Sequence, residues 1–243
     1  MQVGSTMELS VILPTYNERE NIEAVILELE SFFSKKETFE IIVIDDSSPD
    51  KTAEAVQKMQ KRFSNLILIK DQPKEGIGRA LEKGYDRARG NWLLSMDADR
   101  AFLTKDLERI ISERKNGFDF IVGSKYAQDS NYVKNSFISW VRSKISEWGN
   151  LYINLVSGVP LKDFSMNFRL LKKEVWKNIK PKDKENFFLV EMIVQAQYKK
   201  YRIKELGVSL IPRSFGVSKT QVGKQMGKFL LKSTALLLKR IAR

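Results

Sequence analysis

The sequence predicts an α/β fold in which a mostly parallel central sheet is flanked by helices, and three observations predict it. From Leu9 to about Gly123, short apolar runs alternate with amphipathic helical stretches, the sequence form of successive βα units. Three of those runs deliver a carboxylate just past their C-terminal end, where an open parallel sheet binds its ligands. No internal repeat or low-complexity tract interrupts the layout.

The elements follow in order. Leu9 to Leu13 reads as a strand, and Glu20 to Lys35 as a helix with Ile22, Val25, Ile26, Leu29, Phe32 and Phe33 on one face. Phe39 to Ile44 is the next strand, followed by a helix over Lys51 to Phe63 carrying Ala55, Val56, Met59 and Phe63. Leu66 to Lys70 is a third strand, after which Gly78 lets the loop turn tightly into a helix running through Arg89. Gly76-Ile77-Gly78 is no dinucleotide fingerprint, because Leu81 takes the place of the third glycine and the segment follows the third strand. Trp92 to Met96 and Phe120 to Gly123 are strands, separated by a helix that Thr104 would cap with Asp106 and Glu108 in its first turn.

Beyond Gly123 the pattern changes. A polar stretch to Asn135 precedes an aromatic-rich helix, Phe137 to Val156, which Ser157-Gly158-Val159-Pro160 ends. A strand over Asn167 to Leu171, a helix over Phe187 to Tyr198 and a strand over Arg202 to Ile211 suggest a mixed extension of the sheet. Pro212 to Gly216 reads as a loop and Lys219 to Ile241 as a last helix. The expected division is a catalytic domain over residues 1–219 and a C-terminal basic amphipathic helix over residues 220–243.

With 243 residues the chain is long enough for a full core in one domain. It has no cysteine and no histidine, so thiolate chemistry, disulfides and imidazole bases are excluded. Carboxylates, Lys, Arg, Tyr or a metal must do the work. The formal charge of +12, from 42 Lys and Arg against 30 Asp and Glu, points to an anionic partner: a phosphate-bearing substrate, an anionic lipid surface or nucleic acid. No window reaches the ~18 consecutive apolar residues of a spanning helix, and residues 1–6 lack the features of a signal peptide. These features lead to an intracellular expectation.

The acidic ends carry the chemistry. Asp45-Asp46 closes the second strand, where Asp50 can cap the next helix and leave Asp46 to meet a ligand. Asp97-Ala98-Asp99 closes the fourth. Read alone, such a triplet is equally a turn whose aspartate caps a helix; at a strand end, two aspartates one residue apart can share Mg2+ or Mn2+, hard cations that bridge phosphates.

The blocks that hold these residues resemble glycosyltransferase family 2 enzymes of the nucleotide-diphospho-sugar transferase (GT-A) fold, nearest the dolichol-phosphate or polyprenol-phosphate mannose synthases. The matching stretches are Pro14-Thr15-Tyr16-Asn17-Glu18-Arg19-Glu20-Asn21, Ile44-Asp45-Asp46-Ser47-Ser48-Pro49-Asp50, Ser95-Met96-Asp97-Ala98-Asp99, Asn167-Phe168-Arg169-Leu170, Glu191-Met192-Ile193-Val194 and Arg213-Ser214-Phe215-Gly216-Val217-Ser218-Lys219. They occur in family order from residue 9 to 219.

The resemblance implies that Pro14, Tyr16, Glu18, Ile44 and Asp46 hold the nucleotide base and ribose. It likewise implies that Asp97, Ala98 and Asp99 hold the donor diphosphate, with Asp97 and Asp99 on a Mg2+ or Mn2+ cofactor, and that Lys125, Arg213 and Lys219 grip the phosphates of donor and acceptor. Asp97, Asp99, Arg213 and Lys219 are the expected catalytic set. Arg100 and Ala101 depart from the family pattern after the triplet, and Lys125 replaces an arginine; a lysine cannot reproduce a bidentate guanidinium contact. The expectation is an inverting transfer of a hexose, mannose from GDP-mannose in the first instance, to dolichyl or polyprenyl phosphate. UDP-glucose or another sugar nucleotide is the alternative donor, and a non-catalytic basic nucleic-acid-binding protein the alternative of another class.

The last helix places Lys224, Lys228, Lys232, Lys239 and Arg243 within an arc of about 100°, opposite Val222, Met226, Phe229, Leu230, Leu237 and Ile241. Such a helix either lies in the headgroup region of an anionic bilayer or packs its apolar face on the domain. Trp140, Trp148 and Tyr152 are candidates for an interfacial aromatic patch, with core packing the alternative. Together these imply a peripheral place on the cytoplasmic face of a membrane, directly or through a membrane-protein anchor.

Overall fold

The computed structural model describes residues 7–70, 73–99, 104–132, 137–210, 229, 231–237 and 240. Strands β1 (Leu9–Thr15), β2 (Phe39–Asp45), β3 (Leu66–Lys70) and β4 (Trp92–Ser95) alternate with helices α1 (Ile22–Phe33), α2 (Thr52–Gln60) and α3 (Ile77–Arg87). Then come α4 (Thr104–Ser112), β5 (Phe120–Ser124), the short β6 (Asn131–Tyr132) and the long α5 (Phe137–Ser157). β7 (Arg169–Lys172), α6 (Lys173–Asn178), α7 (Phe187–Tyr198), β8 (Ile203–Gly207) and β9 (Ser209–Leu210) complete the described core.

Seven strands form one sheet in the order β3-β2-β1-β4-β7-β5-β8. β7 runs antiparallel to both of its neighbours and every other pairing is parallel. The strands were legible because a sheet covered on both faces needs near-continuous apolar runs. Side chains then alternate between two apolar layers: Ile12, Ile42, Ile44 and Leu93 face α3, α5 and α7, while Val11, Leu13, Ile41, Val43 and Leu94 face α1, α2 and α4.

The chain moves outward from β1 to β2 and β3, then returns across β1 to β4. This places a topological switch point between β1 and β4, and open α/β sheets bind ligands in the crevice outside such a point. β6 and β9 pair as a separate two-stranded ribbon. The single run expected from Arg202 to Ile211 is thus split into β8 and β9 around Val208, whose N–H instead bonds the Ser124 carbonyl.

The described part of the last helix packs on the domain. Leu236 joins the apolar layer of α5 and α7, and the Phe229 ring meets Phe187 edge-on at 5.6 Å between centroids. Lys232 pairs with Asp183. Lys224, Lys228, Lys239 and Arg243 lie outside the described residues. Among the described residues no helix is long and apolar enough to cross a membrane.

Candidate active site

β1, β2 and β4 are adjacent and parallel, so the segments leaving their C-terminal ends share one edge of the sheet. Register brings Thr15 opposite Asp45 and Ile12 opposite Ser95. Pro14 to Glu18, Asp46 and Asp97 to Asp99 therefore all rise at the switch point. β5 also runs in this direction and delivers Lys125; antiparallel β7 begins at the same edge and delivers Asn167 just before it.

The first two segments are stitched together. The Asn17 N–H donates to Ser48 Oγ at 2.9 Å, the Glu18 N–H to Thr52 Oγ1 at 3.0 Å and the Arg19 N–H to Asp50 Oδ2 at 3.0 Å. The N-cap of α2 is Lys51 rather than the expected Asp50, which lies one residue earlier and accepts from the Thr52 N–H at 3.0 Å. Asn17, Ser47 and Lys51 hold left-handed φ values of 58°, 59° and 67°. Non-glycine residues in that region mark backbone held against its local preference, a feature concentrated at ligand sites.

Asp46 is more engaged than its sequence suggests. Its carboxylate accepts from the backbone N–H of Glu75 at 2.8 Å and of Gly76 at 3.1 Å, tying the loop before α3 to the cleft. Gly76 has φ 99°, and a Cβ there would lie 2.6 Å from the Lys184 carbonyl oxygen. On the same loop Lys74 sits 3.2 Å from the centroid of the Tyr16 ring. Ile44, expected beside the nucleotide, turns its side chain into the core with α3; only its backbone faces Thr15, whose hydroxyl donates to the Ile44 carbonyl at 3.2 Å.

Asp97 is half-buried, while Ala98 and Asp99 are buried. Oδ1 of Asp97 accepts from Asn167 Nδ2 at 3.0 Å. Arg169, two residues on, is wholly buried and donates to three backbone carbonyls, Met166 at 2.8 Å, Leu189 at 2.6 Å and Phe164 at 2.8 Å. Burial lowers its pKa to about 10, against the opposing pull of Tyr85, Asp163 and Asp97, so it stays a cation at neutral pH within the field of Asp97.

Lys125 rests its ammonium 3.2 Å from Ser165 Oγ and 3.9 Å from Asp163 Oδ2. Asp163 is fully buried and held by the Ser165 N–H and hydroxyl at 2.9 and 2.7 Å. Beside it, Glu205 accepts from the N–H groups of Lys162 and Asp163, both at 2.9 Å. Burial pushes the Glu205 carboxyl above its ordinary range and the Asp163 charge pushes it further, outweighing its hydrogen bonds. Arg100, Ala101, Arg213 and Lys219 lie outside the described residues.

The donor set suits a hard divalent cation. Among the described residues no cluster of three acidic, histidine or cysteine ligands gathers; Mg2+ and Mn2+ take hard oxygen ligands and can be held by one or two carboxylates with phosphates filling other positions. Asp97 and Asp99 are the two carboxylates that fit.

The sequence profile of glycosyl transferase family 2 matches residues 10–180, which takes in β1 through α6. The chain belongs to glycosyl transferase family 2. It is 28% identical over 225 residues to the dolichol-phosphate mannosyltransferase of Pyrococcus furiosus, covering 91% of this chain and 60% of that protein. It is also 28% identical over 224 residues to the polyprenol monophosphomannose synthase of Mycolicibacterium smegmatis, covering 89% and 82%. The chain thus spans less than two thirds of the Pyrococcus protein. In three dimensions it matches glucosyl-3-phosphoglycerate synthase from Mycobacterium tuberculosis, solved with Mn2+, UDP and glucosyl-3-phosphoglycerate, at a TM-score of 0.69 and 14% identity, over 98% of this chain and 81% of that one. S. aureus TarS with UDP-GlcNAc matches at a TM-score of 0.60 and 18% identity, over 93% and 66%. The GT-A fold expected of a family 2 member is therefore present.

Signals that sequence reading passed over are also in this cleft. Lys74 lies in a loop after β3, and Ser95 is a hydroxyl inside an apolar strand run; a polar side chain in such a run is the trace from which its partners Tyr85 and Asn167 could have been sought.

Proposed function

We propose that this family 2 protein is an inverting hexosyltransferase that moves mannose from GDP-mannose to a dolichyl or polyprenyl phosphate at a membrane surface. The observation that carries the proposal is Asp97-Ala98-Asp99 at the end of β4, facing Pro14 to Glu18 across the switch point beside β1. The 28% identity to two enzymes named for lipid-phosphate mannosylation supports the substrate pair.

The residues suit that reaction. A lipid monophosphate has its second pKa near ~6, so it is largely dianionic at neutral pH and needs no strong base. Its oxygen forms the new bond to the anomeric carbon as the bond to the diphosphate oxygen breaks, and the nucleoside diphosphate departs with the electron pair. A Mg2+ or Mn2+ ion held by Asp97 and Asp99 would offset the charge that develops on that leaving oxygen. Tyr16 is assigned to the base, with the Lys74 cation over the face of its ring. Lys125, Arg213 and Lys219 are assigned to the phosphates, where fixed cations let two anions approach.

Membrane contact is proposed through α5. Phe137, Trp148, Leu151 and Leu155 are 77%, 70%, 58% and 71% exposed and, with Trp140, fall within about 80° of one helix face at 100° per residue. Asn150, about 120° round the same helix on its buried side, accepts from the Phe164 N–H at 3.0 Å, which ties α5 to the segment leading to Asn167 while the exposed stripe points away from it. An aromatic and leucine stripe beside basic side chains suits the interfacial zone where a prenyl phosphate presents its head.

Transfer of labelled hexose to extractable polyprenyl phosphate tests the proposal, with GDP-mannose and UDP-glucose as separate donors, with Mn2+ and with EDTA. Mannose transfer abolished by EDTA is the expected result. Transfer from UDP-glucose alone would move the assignment to another donor, and no transfer with a salt-sensitive RNA or DNA complex would replace it with nucleic-acid binding.

A further inference from the structure

We propose that Tyr85, Ser95 and Asn167 form a buried positioning relay that fixes the orientation of the Asp97 carboxylate toward its cation; this rests on the reading of Asp97 as a metal-holding residue. Tyr85 OH donates to Ser95 Oγ at 2.8 Å, Ser95 Oγ donates to Asn167 Oδ1 at 2.7 Å, and Asn167 Nδ2 donates to Asp97 Oδ1 at 3.0 Å. All three relay residues are buried.

The direction of these bonds follows from chemistry. An ionised carboxylate can only accept, so Asn167 must present its NH2 to Asp97 and therefore its carbonyl to Ser95. Ser95 must then donate to Asn167, which leaves its lone pairs for the Tyr85 hydroxyl. Every proton is displaced toward Asp97. Burial pushes the Tyr85 hydroxyl up to about 12, so it stays a donor throughout the physiological range.

Placement is equally constrained. The antiparallel register sets Ser95 opposite Arg169, which puts Asn167 beyond the end of β4 and level with Asp97. The Tyr85 ring is clamped against Trp176, stacked at 4.8 Å between centroids. A chain serving only to satisfy the Tyr85 hydroxyl would be complete at Ser95; this one continues through an amide with one oriented face to a carboxylate of the cleft. Polar groups buried in an apolar layer are costly unless every member is satisfied, so such a chain is rigid. Partners that orient a metal-holding side chain typically contribute ~10–100-fold in metal affinity.

The test titrates Mn2+ into the full chain and reads the free ion by electron paramagnetic resonance, with urea midpoints measured alongside. Asn167→Leu is expected to weaken Mn2+ binding by ~10-fold or more. Ser95→Ala and Tyr85→Phe each remove one oxygen without opening the core, and progressively smaller losses are expected from them. In the Asn167→Leu background, Ser95→Ala should add nothing to the loss in Mn2+ affinity while still lowering the urea midpoint, because the relay reaches the ion only through Asn167. Unchanged Mn2+ affinity in Asn167→Leu and Ser95→Ala, with binding intact in the unmutated chain, overturns the relay alone. Absence of Mn2+ binding in the unmutated chain, both alone and with GDP-mannose present, overturns the metal reading of Asp97, and the relay with it.

Discussion

At the scale of single residues, the region around the cleft is governed by charges taken out of water. Arg169 has no solvent exposure and satisfies three backbone carbonyls. Arg169→Leu would leave those acceptors without donors at ~1–3 kcal/mol each, so an overall loss of about 3–5 kcal/mol is expected after local relaxation, read from the urea midpoint. Arg169→Lys should recover little, because an ammonium cannot span three divergent carbonyls. Glu205 makes the opposite case. Its carboxyl is held above the ordinary value in the folded chain, so the folded state binds its proton more tightly than the unfolded state does. Its stabilising effect is present below the ordinary carboxylate pKa and is lost as pH rises through the raised one. Glu205→Gln retains an acceptor oxygen for the Lys162 and Asp163 N–H groups and carries no charge. Its stability advantage over the unmutated chain should therefore grow between about pH 5 and about pH 7, as unfolding midpoints at the two values would reveal. Neither residue could be valued from sequence: Arg169 stood inside a matching block, and Glu205 in a run read only as strand. What decides them is the proximity of Asp163, Leu189 and Met166, set by folding rather than by spacing along the chain.

At the scale of elements, legibility followed burial. The βα alternation, and α7 to the residue, could be read because strands covered on both faces and helices with one apolar face leave strong periodic traces. α6 could not, since its six residues offer only Val175 and Trp176 to the core, less than two turns of pattern. The engagement of Asp46 was also hidden. Its partners Glu75 and Gly76 return to it from beyond β3, about thirty positions away. Gly84 has a similar long-range reason for being glycine. A Cβ there would lie 2.5 Å from Ile12 Cγ2 and 2.7 Å from Ile44 Cδ1, so the bare backbone of α3 lies directly on β1 and β2. Gly84→Ala gains helix propensity but must lift α3 from the sheet; overpacking of this kind costs ~1–3 kcal/mol, and a net fall in melting temperature is expected. Because α3 carries Tyr85 and begins beside the Gly76 loop, the same variant should weaken donor binding, measurable as a raised KM for the sugar nucleotide.

At the scale of the whole molecule, two forces would bring the protein to a membrane, and they respond differently to salt. The net charge of +12 attracts anionic lipid over the Debye length, which falls from about 10 Å at 0.1 M salt to about 3 Å at 1 M. Insertion of the α5 stripe removes apolar surface from water and is not screened. The last helix adds little apolar area through its described inward face, since Phe229 and Leu236 are already packed on the domain, although Leu231 is 74% exposed. If α5 is the contact, Trp148→Glu with Leu155→Glu should abolish flotation with phosphatidylserine vesicles at 0.1 M salt, even though the pair changes the net charge by only two. The unmutated chain should retain part of its flotation at 1 M salt. Both substitutions are on an exposed face, so Mn2+ binding and melting temperature should be unchanged while transfer to vesicle-embedded polyprenyl phosphate falls. Flotation of the double variant equal to that of the unmutated chain would assign the contact to charge alone and remove α5 from it.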